Sequence, residues 1–318
     1  MKNKKSTMFF SSLLVVIFHL WINIFDRTSN LFNIETFLRQ TCFIGVDIFF
    51  FLSSYFISKK EIKNYKEFLL SRFIKIYIVF IFFSIVALIY FKWSIKTFLL
   101  TISGINLFLK GGGSFLWFIP AIMIIYILLP LYNKIDKKYN KITYVITIML
   151  WLLFTIIISK FTPFTKILIF TNRIPIILIG SYLSKYNIID KFTKKKYFIL
   201  TILLIIIGFI IEYNLNNITF SYIKDVYYIT SIPLTLGLIL LINLIPTNKV
   251  INKLGSISLE MYGLQMIFGF KIASVVFKYI KYPLISNIIT ITTIILLSTV
   301  LNFIFKKITK IIKTKISN

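Results

Sequence analysis

Four ionisable side chains stand inside apolar stretches of this chain: His19, Asp47, Arg173 and Glu260. A charge at membrane depth is expensive, so each raises a functional question. His19, in VVIFHLW, is the only histidine among 318 residues. An imidazole oriented by a carboxylate is the arrangement a general base needs to deprotonate a hydroxyl. One histidine with scattered carboxylates does not make a metal-ligand set, so no metal is expected. Cys42 is the single cysteine, which excludes an intrachain disulfide, and it reads as a small apolar residue.

These residues must be positioned by membrane helices. Hydrophobic residues make up 58% of the chain and mean hydropathy is +0.87, too apolar for a water-facing surface. The formal charge of +27 raises the question of nucleic acid. Its lysines instead form short clusters between apolar runs of about 18–20 residues, the length that crosses ~30 Å of hydrocarbon. Clusters so placed face lipid headgroups, and nucleic acid is discarded as a partner. The runs are continuously apolar rather than alternating, which argues against a barrel.

The expected fold is therefore an all-α integral membrane protein of about ten helices, forming one domain over 1–318. The runs are 8–25, 41–58, 74–92, 115–132, 142–159, 167–184, 197–211, 226–245, 254–270 and 284–304. With the N-terminus inside, the inner segments hold 25 of the 37 Lys and Arg and the outer ones 12, Lys224 among them. That bias predicts both termini in the cytoplasm. No small-residue cleavage site follows the first run, so it reads as a retained helix. No soluble domain is expected, and KGGGS (110–114) reads as a flexible hinge before FLWF.

On these boundaries His19 lies six residues, or ~9 Å, below the outer face, and Asp47 lies at the same depth on the next helix. Consecutive antiparallel helices tend to be neighbours, which predicts a His19–Asp47 hydrogen bond. The plain alternative is a structural polar pair that fixes helix packing. Arg173 reads first as an interfacial anchor at a helix end, and Glu260 as a partner for a neighbouring helix.

The stretch GVDIFFFLSSYFIS (45–58) resembles the second-helix signature of the membrane acyltransferase-3 superfamily. FLLSRFIKIY (68–77), FLWFIPAIMIIYILLPLY (115–132), RIPIILIGSYLS (173–184) and LGSISLEMYGLQ (254–265) resemble later blocks of that family in the same order. The resemblance spans roughly residues 8–305. It implies a ten-helix enzyme that moves an acyl group, usually acetyl, from cytoplasmic acyl-CoA to a hydroxyl of a surface glycan or lipid-linked sugar. It also implies a multi-pass protein of a bacterial cell membrane.

His19 matches the family's histidine, Asp47 its aspartate and Arg72 the arginine of the loop. The resemblance places Arg72, with Lys75 nearby, toward the CoA phosphates. Trp117 and Tyr126 match family positions and, with Arg173, are expected on the substrate side. Three departures follow. The family's arginine eleven residues before the histidine is Met8 here. Lys5, fourteen residues before His19, falls ~40° around the helix and can snorkel toward that place as a weaker cation. The plain alternative for Lys5 is a topology charge. Ser54 replaces the usual glycine, and Gln265 stands where the family often has a second histidine, which leaves a single imidazole for the chemistry. The second reading is a non-catalytic transporter or flippase, or a decayed acyltransferase. A transporter with broken inverted repeats calls for matching prolines in two halves, and Pro120, Pro175 and Pro233 do not pair in that way.

Overall fold

The structure is a computed structural model and describes residues 3–139, 141–160, 165–189, 194–216, 231–246 and 248–317. Lys224 and residues 226–230 of one expected helix lie outside the described residues. The chain is 86% helical with no strand among the described residues. Among the described residues eight helical stretches are long and apolar enough to cross a membrane, and Ile232–Leu244 is a shorter apolar helix. The helix that carries His19, Lys4–Leu20, has 17 residues, at the lower limit for a span.

The chain divides into two compact units. One comprises Asp47–Phe73 and Leu99–Leu244; the other comprises Lys2–Val46, Ile74–Phe98 and Ile245–Asn318.

In the first unit apolar side chains face outward and small polar ones inward, the pattern expected where lipid is the solvent. The helix Lys141–Lys160 exposes Val145, Met149 and Leu153 while burying Tyr144, Trp151 and Thr155. Close approach depends on glycine. Gly208 of Lys194–Asn216 lies against Leu234, and Gly237 of Ile232–Leu244 lies against Ile205, so two helices meet backbone to backbone. Gly180 gives room to Ser54 in the same way, so the serine that replaces a usual glycine is matched by a glycine opposite.

KGGGS is not a free hinge. Gly111–Gly113 form a 3₁₀ turn in which Gly111 takes φ +53° and packs against the Lys166 backbone. A side chain there would meet both a strained conformation and an occupied space. The preceding segment, expected outside the membrane, folds into two short helices, Ile95–Ile102 and Ile105–Lys110.

In the second unit Lys4–Leu20 packs on the stretch Lys249–Tyr279, which is helical throughout but leaves the α pitch twice, at Gly255–Ile257 and Gln265–Gly269. Gly255 lies against the Lys5 backbone, and Gly269 against Leu20. Gly45, at the start of the helix Ile44–Ser58, lies against Ser11, Leu14 and Val15. The long helix Pro283–Ser317 completes the packing.

The first helix ends earlier than its apolar run. Its cap, Trp21, is extended (φ −66°, ψ 127°), and the chain turns although apolar residues continue to Phe25. His19 is thus in the last helical turn, not six residues inside it. Hydropathy measures the solvent and not the backbone, so it ran past the true end.

Candidate functional site

In the first unit, three residues nominated separately by sequence come together. The helix Leu168–Thr171 stops at Asn172, and Ile174–Lys185 starts afresh with Pro175 in its first turn, where a missing N–H costs nothing. Arg173 stands in this break. Its Nε lies 2.8 Å from Asp47 Oδ1, with Arg173 2% and Asp47 1% exposed. Nη1 donates to the Ile169 carbonyl, and the guanidinium lies 5.0 Å from the centre of the Trp117 ring. Ser231 Oγ donates to Asp47 Oδ2 at 3.1 Å.

Arg173 is therefore not an interfacial anchor. It is buried because a carboxylate, a carbonyl and an aromatic face meet it there, as a buried guanidinium requires. Trp117 is set by the turn before Phe118–Tyr139, where Leu116 takes φ +51°, a conformation side chains other than glycine adopt at a cost. Phe50 and Phe118 pack around the indole.

Arg72 belongs to the same unit, in a separate place. Its guanidinium lies 5.5 Å from the Phe68 ring centre and 5.6 Å from that of Tyr126, so Tyr126 is a support for Arg72. Arg72 lines an open cavity of about 340 Å³ with Lys60, Lys63, Glu67 and Ser71. A guanidinium held between rings keeps its outer N–H groups for an anion. Nearby helix ends are tied by polar bonds. Ser58 donates to Ser181 at 2.8 Å, Asn133 Nδ2 donates to Ser58 Oγ at 3.0 Å, and Lys185 pairs with Asp136 at 2.5 Å.

The second unit holds His19. Its ring meets Phe18 edge-on at 4.9 Å, and no other residue of that unit hydrogen-bonds it among those described. The expected bond to Asp47 joins residues assigned to different units, while Asp47 already has Arg173 and Ser231 within its own. The chain after His19 is clamped on two sides. Trp21 Nε1 and the Ile24 and Phe25 N–H groups donate to the Glu35 carboxylate, at 2.8 to 3.1 Å. Asn287 accepts from Ile22 N–H at 2.9 Å and donates to its carbonyl at 2.7 Å.

Glu35 and Asn287 escaped the sequence reading, because neither stands in a motif. The signal for Glu35 was its place in an amphipathic stretch, with Leu31, Ile34 and Leu38 exposed on one face of Asn30–Thr41. Glu260 is bonded by Asn302 Nδ2 at 2.8 Å, and Lys75 and Lys306 act on it electrostatically. Lys75 does not line the Arg72 cavity. Lys5 is exposed, and Met8 is half-buried one turn further along the same helix.

The family model for the acyltransferase-3 domain matches residues 9–307. Comparison with curated proteins finds no match, and comparison with solved structures finds none. The match includes His19, reaches into both units and takes in all the blocks whose order resembles the family. The chain belongs to the acyltransferase-3 family and is a membrane acyltransferase.

Proposed function

We propose that the chain transfers an acyl group, acetyl in the simplest case, from acyl-CoA to a hydroxyl of a cell-surface polysaccharide or lipid-linked sugar. His19 is the general base. The observation that carries this reading is the lone imidazole on the first helix of a chain that belongs to an acyltransferase family. Among titrating side chains, an imidazole is the one suited to accept a hydroxyl proton and return it near neutral pH.

The donor enters beside Arg72, whose cavity carries Lys60 and Lys63 and suits the phosphates of CoA. The acceptor hydroxyl loses its proton to His19 and attacks the acyl carbon. Asp47 holds Arg173, Arg173 in turn fixes the Trp117 ring, and the half-buried indole offers an aromatic face of the kind that contacts sugars. Lys5 supplies a cation in place of the arginine replaced by Met8. The inward termini and a bacterial cell membrane complete the reading, since acyl-CoA is made in the cytoplasm.

The test is mass spectrometry of surface glycans from cells with and without the gene. Loss of one acyl mass on deletion, restored by the wild-type gene, supports transfer to a glycan. Identical glycans in both strains contradict it.

A further inference from the structure

The stretch Lys249–Tyr279 runs beside the His19 helix in the same direction. Gly255 lies against Lys5, Ser12 Oγ lies 3.5 Å from Met261 Sδ, and Gly269 lies against Leu20. The last two contacts share one offset. Gln265 is therefore level with Val16, three residues or ~4.5 Å along the axis from His19.

Gln265 is 2% exposed, and neither its Oε1 nor its Nε2 has a hydrogen-bond partner among the described residues. A buried amide with both ends unpaired weakens the fold, and an apolar side chain of that length is more stable there. Gln265 also opens a π-helical turn, Gln265–Gly269, between Ser258–Leu264 and Phe270–Tyr279. Such turns recur at functional sites. The two observations are independent and coincide within about one turn of the imidazole.

The geometry points to Gln265 as a second catalytic residue, its Nε2–H donating to the carbonyl oxygen of the reacting thioester. This rests on the acyl-CoA reading with His19 as base. In that step the acceptor oxygen bonds to the thioester carbon while His19 takes the hydroxyl proton. Negative charge gathers on the carbonyl oxygen, where the amide N–H opposes it. The carbon–sulfur bond then breaks, the carbonyl re-forms, and the CoA thiolate leaves with the proton from His19. A neutral amide stabilises the oxygen without competing for that proton.

The test uses membranes bearing the whole chain, supplied with radiolabelled acetyl-CoA and the host's surface glycan. Gln265→Leu is expected to lower kcat about 100-fold, the effect of losing one such donor. KM for acetyl-CoA should be unchanged, and Tm of the purified protein should rise because an unpaired amide is gone. Gln265→Met, which keeps the length and stays apolar but removes the donor, should lose a similar factor and serves if the leucine variant fails to accumulate. A wild-type kcat in either variant overturns the assignment. His19→Ala, run in parallel, separates the two readings. If it is silent while Gln265→Leu keeps the wild-type rate, only the Gln265 assignment falls. If His19→Ala still transfers label, the base reading falls, and if the wild type transfers none, the acetyl-CoA reading falls and this inference with it.

Discussion

Asp47 and Arg173 form an ion pair at 2.8 Å in which both side chains are almost wholly removed from solvent. Each residue solves the other's burial problem, and Ser231, Trp117 and the Ile169 carbonyl take up further polar capacity. A pair of this kind is conditional. Removing one partner leaves a buried charge, while removing both leaves only a packing change.

Arg173→Met should therefore destabilise the protein by about 3–5 kcal/mol. The double variant Asp47→Asn with Arg173→Met should recover a large part of that loss. Thermal unfolding of the four proteins in detergent gives the coupling directly. Additive losses show that the pair is not the unit of stability.

Arg72→Ala should raise KM for acyl-CoA by about tenfold, the equivalent of one lost charge-assisted contact. Its kcat should stay near the wild-type value, because Arg72, stacked by Phe68 and Tyr126, holds the donor's phosphates and not the reacting carbonyl. Steady-state kinetics at two ionic strengths checks this. A fall in kcat at constant KM shows a role in chemistry instead.

The glycines divide into those that need their missing side chain and those that do not. Gly255→Ala puts a carbon onto the Lys5 backbone and should cost about 1–3 kcal/mol, as overpacking does. Gly113→Ala meets nothing within 4 Å and should be close to neutral. Paired unfolding curves decide the contrast.

Asn287→Leu removes both bonds to Ile22, the residue three beyond His19. The loss should be about 1–3 kcal/mol, since the Ile22 backbone groups are left unpaired. If the clamp also sets the imidazole, kcat should fall by more than KM rises. Unchanged kinetics in a destabilised variant limits Asn287 to a structural role.

Much of this arrangement was legible in the sequence for one physical reason, that polar groups are costly in lipid. Asp47, Arg173 and Trp117 each stood out by type or by family resemblance. Their convergence did not, because the helices that bring Asp47 and Arg173 together are far apart along the chain and share no local pattern. The His19 helix ran long on paper because Trp21, Ile22, Ile24 and Phe25 are apolar yet turn. KGGGS read as loose because glycine permits freedom, whereas Gly111 uses that freedom to fit one conformation against Lys166. Gln265 looked like a deficit against the family, and only its unpaired amide and π-helical turn give it a positive reading.

The central claim is that His19 moves the proton. The direct measurement is the mass of the surface glycan in a deletion strain carrying either the wild-type gene or His19→Ala, with both proteins at equal level in the membrane. Wild type is expected to restore the acyl mass, and His19→Ala to leave the glycan unmodified. Restoration of the acyl group by His19→Ala contradicts it.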